Sequence, residues 1–420
     1  MNGTVLVLVE YYLPGFKGGG PTRSVENLVS MLGEEFHFGI VTMDRDLGNN
    51  LPYPDVAAHI WGRVGLADVF YMRPGWRGLL KLAALLRSVD SETVLYLNSF
   101  FSLRFSILPI FMVSLGLCRP RSIVLAPRGE FSAGALNQKM RKKRRYLRFS
   151  RLLGIYKGII WHLSTGMEAS DLRTCFPELA DPELAPLFKL SKTAKAPVKW
   201  GEIKLAQDIP ARIKPPIGQR RLKRAGELHL VFISRISPMK NLLYALRLLG
   251  GVSGQVAFDI YGPAEDLNYW GECQKIIAAL PVNIIVKYYG EIEHEKISQT
   301  FADYDLFLLP TLGENYGHVI SEALAAGCPV LISDLTPWRN LEEEGVGWDI
   351  PLENEGRFRA VLQACIDSDG KQQVGLSDRA IKYAEKQMDS PEIIYANRRL
   401  FQHAFNTKRQ SRTLLAESSE

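Results

Sequence analysis

One stretch, Leu306–Leu331 with sequence LFLLPTLGENYGHVISEALAAGCPVL, admits very few folds. Leu306 to Leu309 is an unbroken apolar run closed by Pro310, the pattern of a strand buried on both faces of a parallel sheet. Gly313 and Gly317 bracket a polar turn, and Val319, Ile320, Leu324 and Ala325 then fall at helical spacing. The helix should begin near Gly317 and stop at Gly327, with Pro329 just beyond and a second strand at Val330 to Ser333. Strand, helix and strand in this order place the chain in the α/β class.

A helix that starts where a buried strand ends offers free N–H groups and the positive end of its dipole, here from Gly317 to Val319, and suits a phosphate. Glu314 in the turn and Glu322 one turn inside the helix flank that anion site, eight residues apart. Carboxylates are poor partners for phosphate but accept hydrogen bonds from hydroxyls, so the pair suits a ligand with both phosphate and sugar. That ligand class is a nucleotide sugar. Taken alone, two glutamates at this spacing fit a solvated loop residue and an outer-face helix charge better. The wider segment P-T-L-G-E-N-Y-G-H-V-I-S-E-A-L-A-A-G-C-P-V, however, resembles the E-x7-E segment of family four retaining glycosyltransferases, which have the GT-B fold. The resemblance implies that Glu314 contacts the donor sugar and Glu322 the ribose, with Gly262, Asn315, Tyr316, Gly317, His318 and Val319 in the same donor site.

Length sets the scale. A chain of 420 residues is too long for one typical core, so two domains are expected. The charge of +6 suits an anionic substrate or an anionic membrane surface. Without a nucleic-acid-binding motif it does not point to nucleic acid. Cys118, Cys175, Cys273, Cys328 and Cys365 are scattered, odd in number and lack metal-ligand spacing, which implies reduced thiols in the cytoplasm. The first residues, MNGTVLVLVEYY, lack a basic leader and run into a strand pattern. The apolar run Phe105 to Cys118 contains Pro109 and is short for a membrane span, so it is read as a helix of the first domain.

At the start of the chain, strand Val5 to Val9 leads through a glycine-rich loop into a helix with a Val25, Leu28, Val29 and Leu32 stripe, the opening of a doubly wound domain. The loop is not G-x-G-x-x-G, so no dinucleotide fingerprint is present. On glycine content alone, Gly18, Gly19 and Gly20 fit equally a backbone that approaches a ligand and a merely flexible loop. The resemblance favours the first, in the cleft between domains. Asp44-Arg45-Asp46 looks like a D-x-D metal motif but is read as chance, since two other triplets also fit. Pro127-Arg128-Gly129-Glu130-Phe131-Ser132 resembles the acceptor-facing loop of family members that build surface polysaccharides. Arg128 and Glu130 are therefore candidate contacts near the reacting centre, with an exposed surface pair as an equal alternative. Residues 139–151, KMRKKRRYLRFSR, carry eight basic residues and no acid. Such a run is either a solvated helix face or, given Met140, Tyr146, Leu147 and Phe149, an amphipathic helix for an anionic bilayer. His162 sits within a strand and is read as packed.

The second domain opens on strand His229 to Ile233, followed by S-R-I-S-P-M-K-N and a helix through Leu242 to Leu249, with Pro238 placed to begin that helix. Arg235 and Lys240 then stand at a strand-to-helix turn, where an open sheet binds ligands. Fixed cations there stabilise the charge left on a departing diphosphate without a metal. FISRISPMKN also resembles the family's diphosphate-binding segment.

The expectation is an α/β chain of GT-B type, two Rossmann-like domains facing a central cleft: 1–206 on the acceptor side, a linker at 207–228, and 229–388 holding the nucleotide. A final helix at 389–405 should cross back to the first domain, with a disordered tail at 406–420. The resemblance implies transfer from a nucleotide-sugar donor to a glycan or lipid-linked oligosaccharide acceptor, with retention, no metal and no cofactor. The setting it implies is bacterial surface polysaccharide (lipopolysaccharide, capsule or exopolysaccharide) biosynthesis, cytoplasmic or peripheral on the inner face of the membrane. An epimerase of the same fold would give free epimer and no glycoside. A phosphorylase would need a pyridoxal phosphate lysine, for which no motif is seen. A non-enzymatic membrane scaffold would keep working when Arg235 is substituted.

Overall fold

The computed structural model describes residues 3–137, 140–179, 201–213, 215 and 221–407. Lys139, residues 216–220 of the linker, and the tail from residue 408 lie outside the described residues. The chain forms two compact units, Met1–Ile209 with Pro391–Glu420, and Pro210–Ser390.

In the first unit, β1 (Thr4–Leu8), α1 (Gly20–Leu32) and β2 (His37–Met43) are followed by a hairpin, β3 (Trp61–Val64) and β4 (Ala67–Met72). Next come α2 (Trp76–Arg87), β5 (Thr93–Asn98), α3 (Leu108–Ser114) and β6 (Ser122–Ala126). The unit continues with α4 (Ala133–Asn137), α5 (Met140–Leu153), β7 (Ile160–Leu163), α6 (Gly166–Cys175) and β8 (Glu202–Leu205). The sheet order is β3-β4-β2-β1-β5-β6-β7-β8, parallel except for the β3–β4 pair. Central β1 pairs Val5 with Phe38 on one side and Val94 on the other, so the apolar run TVLVL is covered on both faces. One face carries the expected α1 stripe, where Val25, Leu28, Val29 and Leu32 are buried. The opposite face packs α2, α3, α5 and α6 around an aromatic cluster that includes Phe100, Phe131, Tyr156, Trp161 and Phe176.

The run Phe105 to Cys118 is not one helix. A π-helical turn at Leu103–Ile107, with the Ser102 hydroxyl accepting from the Phe105 N–H, precedes α3, which stops at Ser114. The hydroxyl satisfies a donor of the first turn, so the chain starts its helix two residues before the apolar run does.

The second unit contains β9 (Glu227–Ile233), α7 (Leu242–Leu249), β10 (Gln255–Tyr261), α8 (Leu267–Ala278), β11 (Ile284–Gly290) and α9 (His294–Ala302). It continues with β12 (Leu306–Leu309), α10 (His318–Ala325), β13 (Val330–Ser333), β14 (Gly347–Ile350), α11 (Glu355–Asp367) and α12 (Gly370–Met388). Its sheet is parallel throughout, in the order β11-β10-β9-β12-β13-β14. The residues of β12 and β13 are buried without exception, which accounts for their unbroken apolar runs. The last helix, α13 (Pro391–Asn406), belongs to the first unit, where Leu400, Phe401 and Ala404 join the core behind β1 and Phe405 stacks on Phe36.

Candidate functional site

In the second sheet the strand order reverses between β9 and β12, so the chain leaves these neighbours in opposite directions and opens a crevice at their carboxyl ends. The loops leaving the two strands are tied together: the Leu312 N–H donates to the Met239 carbonyl at 2.8 Å, and the Thr311 hydroxyl donates to it at 3.0 Å. Pro238 does not begin α7. It opens a separate 3-10 turn, Pro238–Lys240, which Asn241 in the left-handed conformation (φ 57°) breaks from the helix. Asn tolerates that conformation because its short polar side chain compensates locally. Lys240 is thus held in the loop, where its ammonium pairs with Glu314, both side chains nearly buried.

Arg235, two residues past β9, is half exposed and meets Glu265 at 3.2 Å. Glu265 comes from the loop after β10, which Gly262 brings against the loop after β9. A Cβ on Gly262 would lie 2.0 Å from the Ser234 carbonyl oxygen, and its φ of 127° is open to glycine. Gly262 therefore sets the approach of the Glu265 loop to Arg235.

Gly317, left-handed at φ 83°, caps α10; no side chain caps the helix and no acid stands in its first turn. The positive end of the helix is available to an anion on that side of Glu314. The turn is rigid: the Glu314 N–H donates to the Leu335 carbonyl at 3.1 Å, and the Trp338 indole N–H donates to the Tyr316 carbonyl at 2.6 Å. Tyr316 itself is buried against Trp338 and His318, so its ring supports the turn from behind. His318 is also buried, Val319 packs on the core of the unit, and Asn315 is partly exposed. Glu322 is buried, with its carboxylate 3.8 Å from the imidazole of His294 at the start of α9. Neither His294 nor Glu265 carried a signal in the sequence. Glu265 depends on β10 lying beside β9, and His294 on α9 packing against α10.

In the first unit, Gly18 is packed, since a Cβ there would fall 2.6 Å from the Thr22 hydroxyl, whereas a Cβ on Gly19 or Gly20 meets nothing within 4 Å. Gly19 needs its φ of 68°. The loop is anchored by Asp46, which accepts from the Phe16 N–H at 2.9 Å and the Lys17 N–H at 3.1 Å. The second acid of the D-x-D triplet thus has a backbone to hold.

Arg128 and Glu130 are not an open pair. Arg128, left-handed at φ 55°, is buried against Asp208 and donates to Asn98 at 2.8 Å and the Tyr96 hydroxyl at 2.7 Å. Tyr96 in turn bonds His162 Nδ1 at 2.7 Å, while His162 Nε2 faces the Ala206 carbonyl at 2.9 Å. The carbonyl can only accept, so Nε2 carries the proton and Nδ1 accepts from Tyr96. Burial pushes His162 down to about 4 and keeps it neutral. Glu130 accepts from the Ser99 hydroxyl and the N–H groups of Phe100 and Phe101. Glu168, buried between the Ser164 and Gly129 N–H groups, is pushed up to about 7 by that burial. The expected acceptor contacts hold the 128–130 turn to the frame of the unit, because isolated charges are not left unpaired at such depth.

Among known proteins, the family described as "Glycosyl transferases group 1" matches residues 214–387. Those residues are a glycosyl transferases group 1 domain. A UDP-N-acetylglucosamine–peptide N-acetylglucosaminyltransferase GtfA subunit from Streptococcus agalactiae is 27% identical over 150 residues, 33% of this chain and 28% of that protein. This chain therefore spans under a third of that relative's length. A sucrose-phosphate synthase from Thermosynechococcus elongatus superposes with a TM-score of 0.67 at 14% identity, over 96% of this chain and 99% of the other. Anabaena Alr3699/HepE in complex with UDP-glucose superposes with a TM-score of 0.59 at 14% identity, over 96% and 99%. The fold is that of GT-B glycosyltransferases, two parallel-sheet domains. The group 1 domain includes Arg235, Lys240, Gly262, Glu314, Gly317 and Glu322.

Proposed function

We propose that the protein transfers a sugar from a nucleotide-sugar donor to a hydroxyl of a glycan or lipid-linked glycan. The observation that carries this reading is the convergence of Lys240, Glu314, Arg235 and the α10 terminus at the reversal of the second sheet. A diphosphate laid across the crevice takes its negative charge to Arg235, Lys240 and the helix end, which stabilise it as it departs with no resident metal. Glu314 leaves Lys240 to accept from the sugar hydroxyls, and Glu322, oriented beside His294, accepts from the ribose. UDP is the first base to try, because a structural neighbour is a UDP-glucose complex. Retention at the anomeric carbon, and a place in bacterial surface polysaccharide biosynthesis, rest on the resemblance of the 127–132 and 310–330 segments. A cytoplasmic protein that docks peripherally through its basic helix α5 fits the same acceptor class. Among the described residues no helix is long and apolar enough to cross a membrane.

The test is release of nucleoside diphosphate and formation of glycoside from a panel of UDP-, GDP- and ADP-sugars, with lipid-linked and soluble glycans as acceptors. Glycoside formed by the native chain and lost in Arg235→Ala supports the reading. Free epimer without glycoside replaces it with an epimerase.

A further inference from the structure

The outer side of the α2, α3 and α5 layer is a single surface of unusual composition. These helices sink Leu82 and Leu86, Ile110 and Val113, and Leu147 into one core, so their other sides face solvent together. Around α2 that side presents Arg73, Trp76, Arg77, Leu80, Lys81 and Arg87, and the Arg77 guanidinium lies 5.4 Å from the Trp76 ring. Around α3 it presents Leu103, Phe111, Leu117 and Arg119. On α5, Arg141, Arg144, Arg145 and Arg148 alternate with Phe149 and Leu152. The apolar members are well out in water: Trp76 is 66% exposed, Leu152 64% and Phe149 59%. No acid occurs in residues 69–89, 99–121 or 131–159, the three segments that build the layer.

The two halves of this composition call for different things. Cations without acids call for an anionic partner, and protruding Leu, Phe and Trp call for an apolar one. A phosphodiester polymer satisfies the first and leaves Leu80 and Leu152 in water. A bilayer with anionic lipid satisfies both, phosphates at the level of the guanidinium groups and acyl chains just beneath, with tryptophan favoured at that boundary.

We propose that the α2/α3/α5 layer is a docking surface for an anionic bilayer, with Trp76, Leu80, Phe149 and Leu152 at the acyl boundary and the arginines on lipid phosphates. This extends the single-helix membrane contact proposed above to a three-helix face, and does not depend on sugar transfer.

The full chain is sedimented with phosphatidylcholine vesicles, with and without phosphatidylglycerol, beside three variants: Arg141→Gln/Arg145→Gln/Arg148→Gln, Phe149→Ser/Leu152→Ser, and Trp76→Ser/Leu80→Ser. The native chain should bind the anionic vesicles alone. The charge variant should bind about a hundredfold more weakly, near fivefold per cation, and each apolar pair about tenfold more weakly. Equal binding to neutral vesicles overturns the proposal, as does a Trp76/Leu80 variant that binds like the native chain, which would confine the contact to α5. Binding to single-stranded DNA that falls with the charge variant alone, without vesicle binding, would assign the surface to a polyanion instead. Circular dichroism and melting of the same preparations check that the variants are folded, and UDP binding is measured beside them. Vesicle binding without UDP binding supports this surface and refutes the donor site.

Discussion

Substituting Asp208 by alanine should unfold the first unit selectively. The Arg128 and Asp208 side chains are 5% and 4% exposed, and Asp208 also accepts from the Ser24 hydroxyl at 2.8 Å. Truncation leaves the guanidinium buried with only the neutral acceptors Asn98 and Tyr96, a loss of about 3–5 kcal/mol. The Ser24 hydroxyl keeps the Gly20 carbonyl as an acceptor at 3.0 Å and adds little to that loss. A loss of about 3–5 kcal/mol is comparable with the whole stability of a marginal domain. Because two units need not unfold together, a single melting curve would blur the effect. Cysteine labelling in urea, resolved by peptide mass spectrometry, separates them: Cys118 is buried in the first unit, and Cys273, Cys328 and Cys365 are buried in the second. Cys118 should become reactive at much lower urea in Asp208→Ala, with the other three unchanged. The double variant Arg128→Met/Asp208→Leu should recover part of the loss, since no unpaired charge remains. A Cys118 shift below about 1 kcal/mol would refute the buried-pair argument. So would equal shifts in both units.

Glu314→Gln should bind free UDP about tenfold more tightly while losing sugar transfer: it removes the internal partner of Lys240, and one negative charge beside an anion is worth roughly 1–2 kcal/mol at an effective dielectric near 20. Calorimetry showing weaker UDP binding would mean that Glu314 positions Lys240 rather than competing for it. For Glu168 the folded carboxyl titrates near 7 against a reference of 4.5, so the folded chain holds a proton the unfolded chain has released, and stability falls as pH rises from about 4.5 to 7. Glu168→Gln should flatten that fall and leave the first unit up to about 3 kcal/mol more stable at pH 8, less what the lost carboxylate bonds to Ser164 and Gly129 contributed. Urea titrations at several pH values decide it, and an unchanged slope would place the ionised carboxylate elsewhere. His162, held neutral with a value near 4, acts in the opposite sense: it favours the fold above about pH 6.5 and loses that contribution as pH falls toward 4. His162→Gln should accordingly soften the acid limb of the same titrations.

The second unit was more legible in the sequence than the first, and the reason is local. Leu306–Leu309, Gly317 and Leu242–Leu249 declare themselves because buried parallel strands, left-handed turn positions and amphipathic helices each have their own residue pattern. Asn241 escaped that reading: a left-handed asparagine between a 3-10 turn and a helix looks, in sequence, like the first turn of the helix. The 128–130 segment left its two readings open for a different reason. Arg128 and Glu130 beside a glycine look like a solvent-facing loop, and only the fold brings Asp208, eighty residues on, against the guanidinium. Likewise, Glu265 enters the site through the β9–β10 strand pair and His294 through the packing of α9 on α10, which no local pattern encodes. The basic run at α5 was plain from its composition, but the layer it shares with α2 and α3 depended on knowing that all three cover one face of one sheet.

Calorimetric titration of UDP, GDP and ADP into the purified chain with EDTA present, beside Arg235→Ala and Lys240→Ala, tests the central claim most directly. The account predicts selective binding of one nucleoside diphosphate, lost in both variants while their folding is unchanged. A folded native chain that binds none of the three, or variants that bind as the native chain does, would contradict the donor site at the reversal of the second sheet.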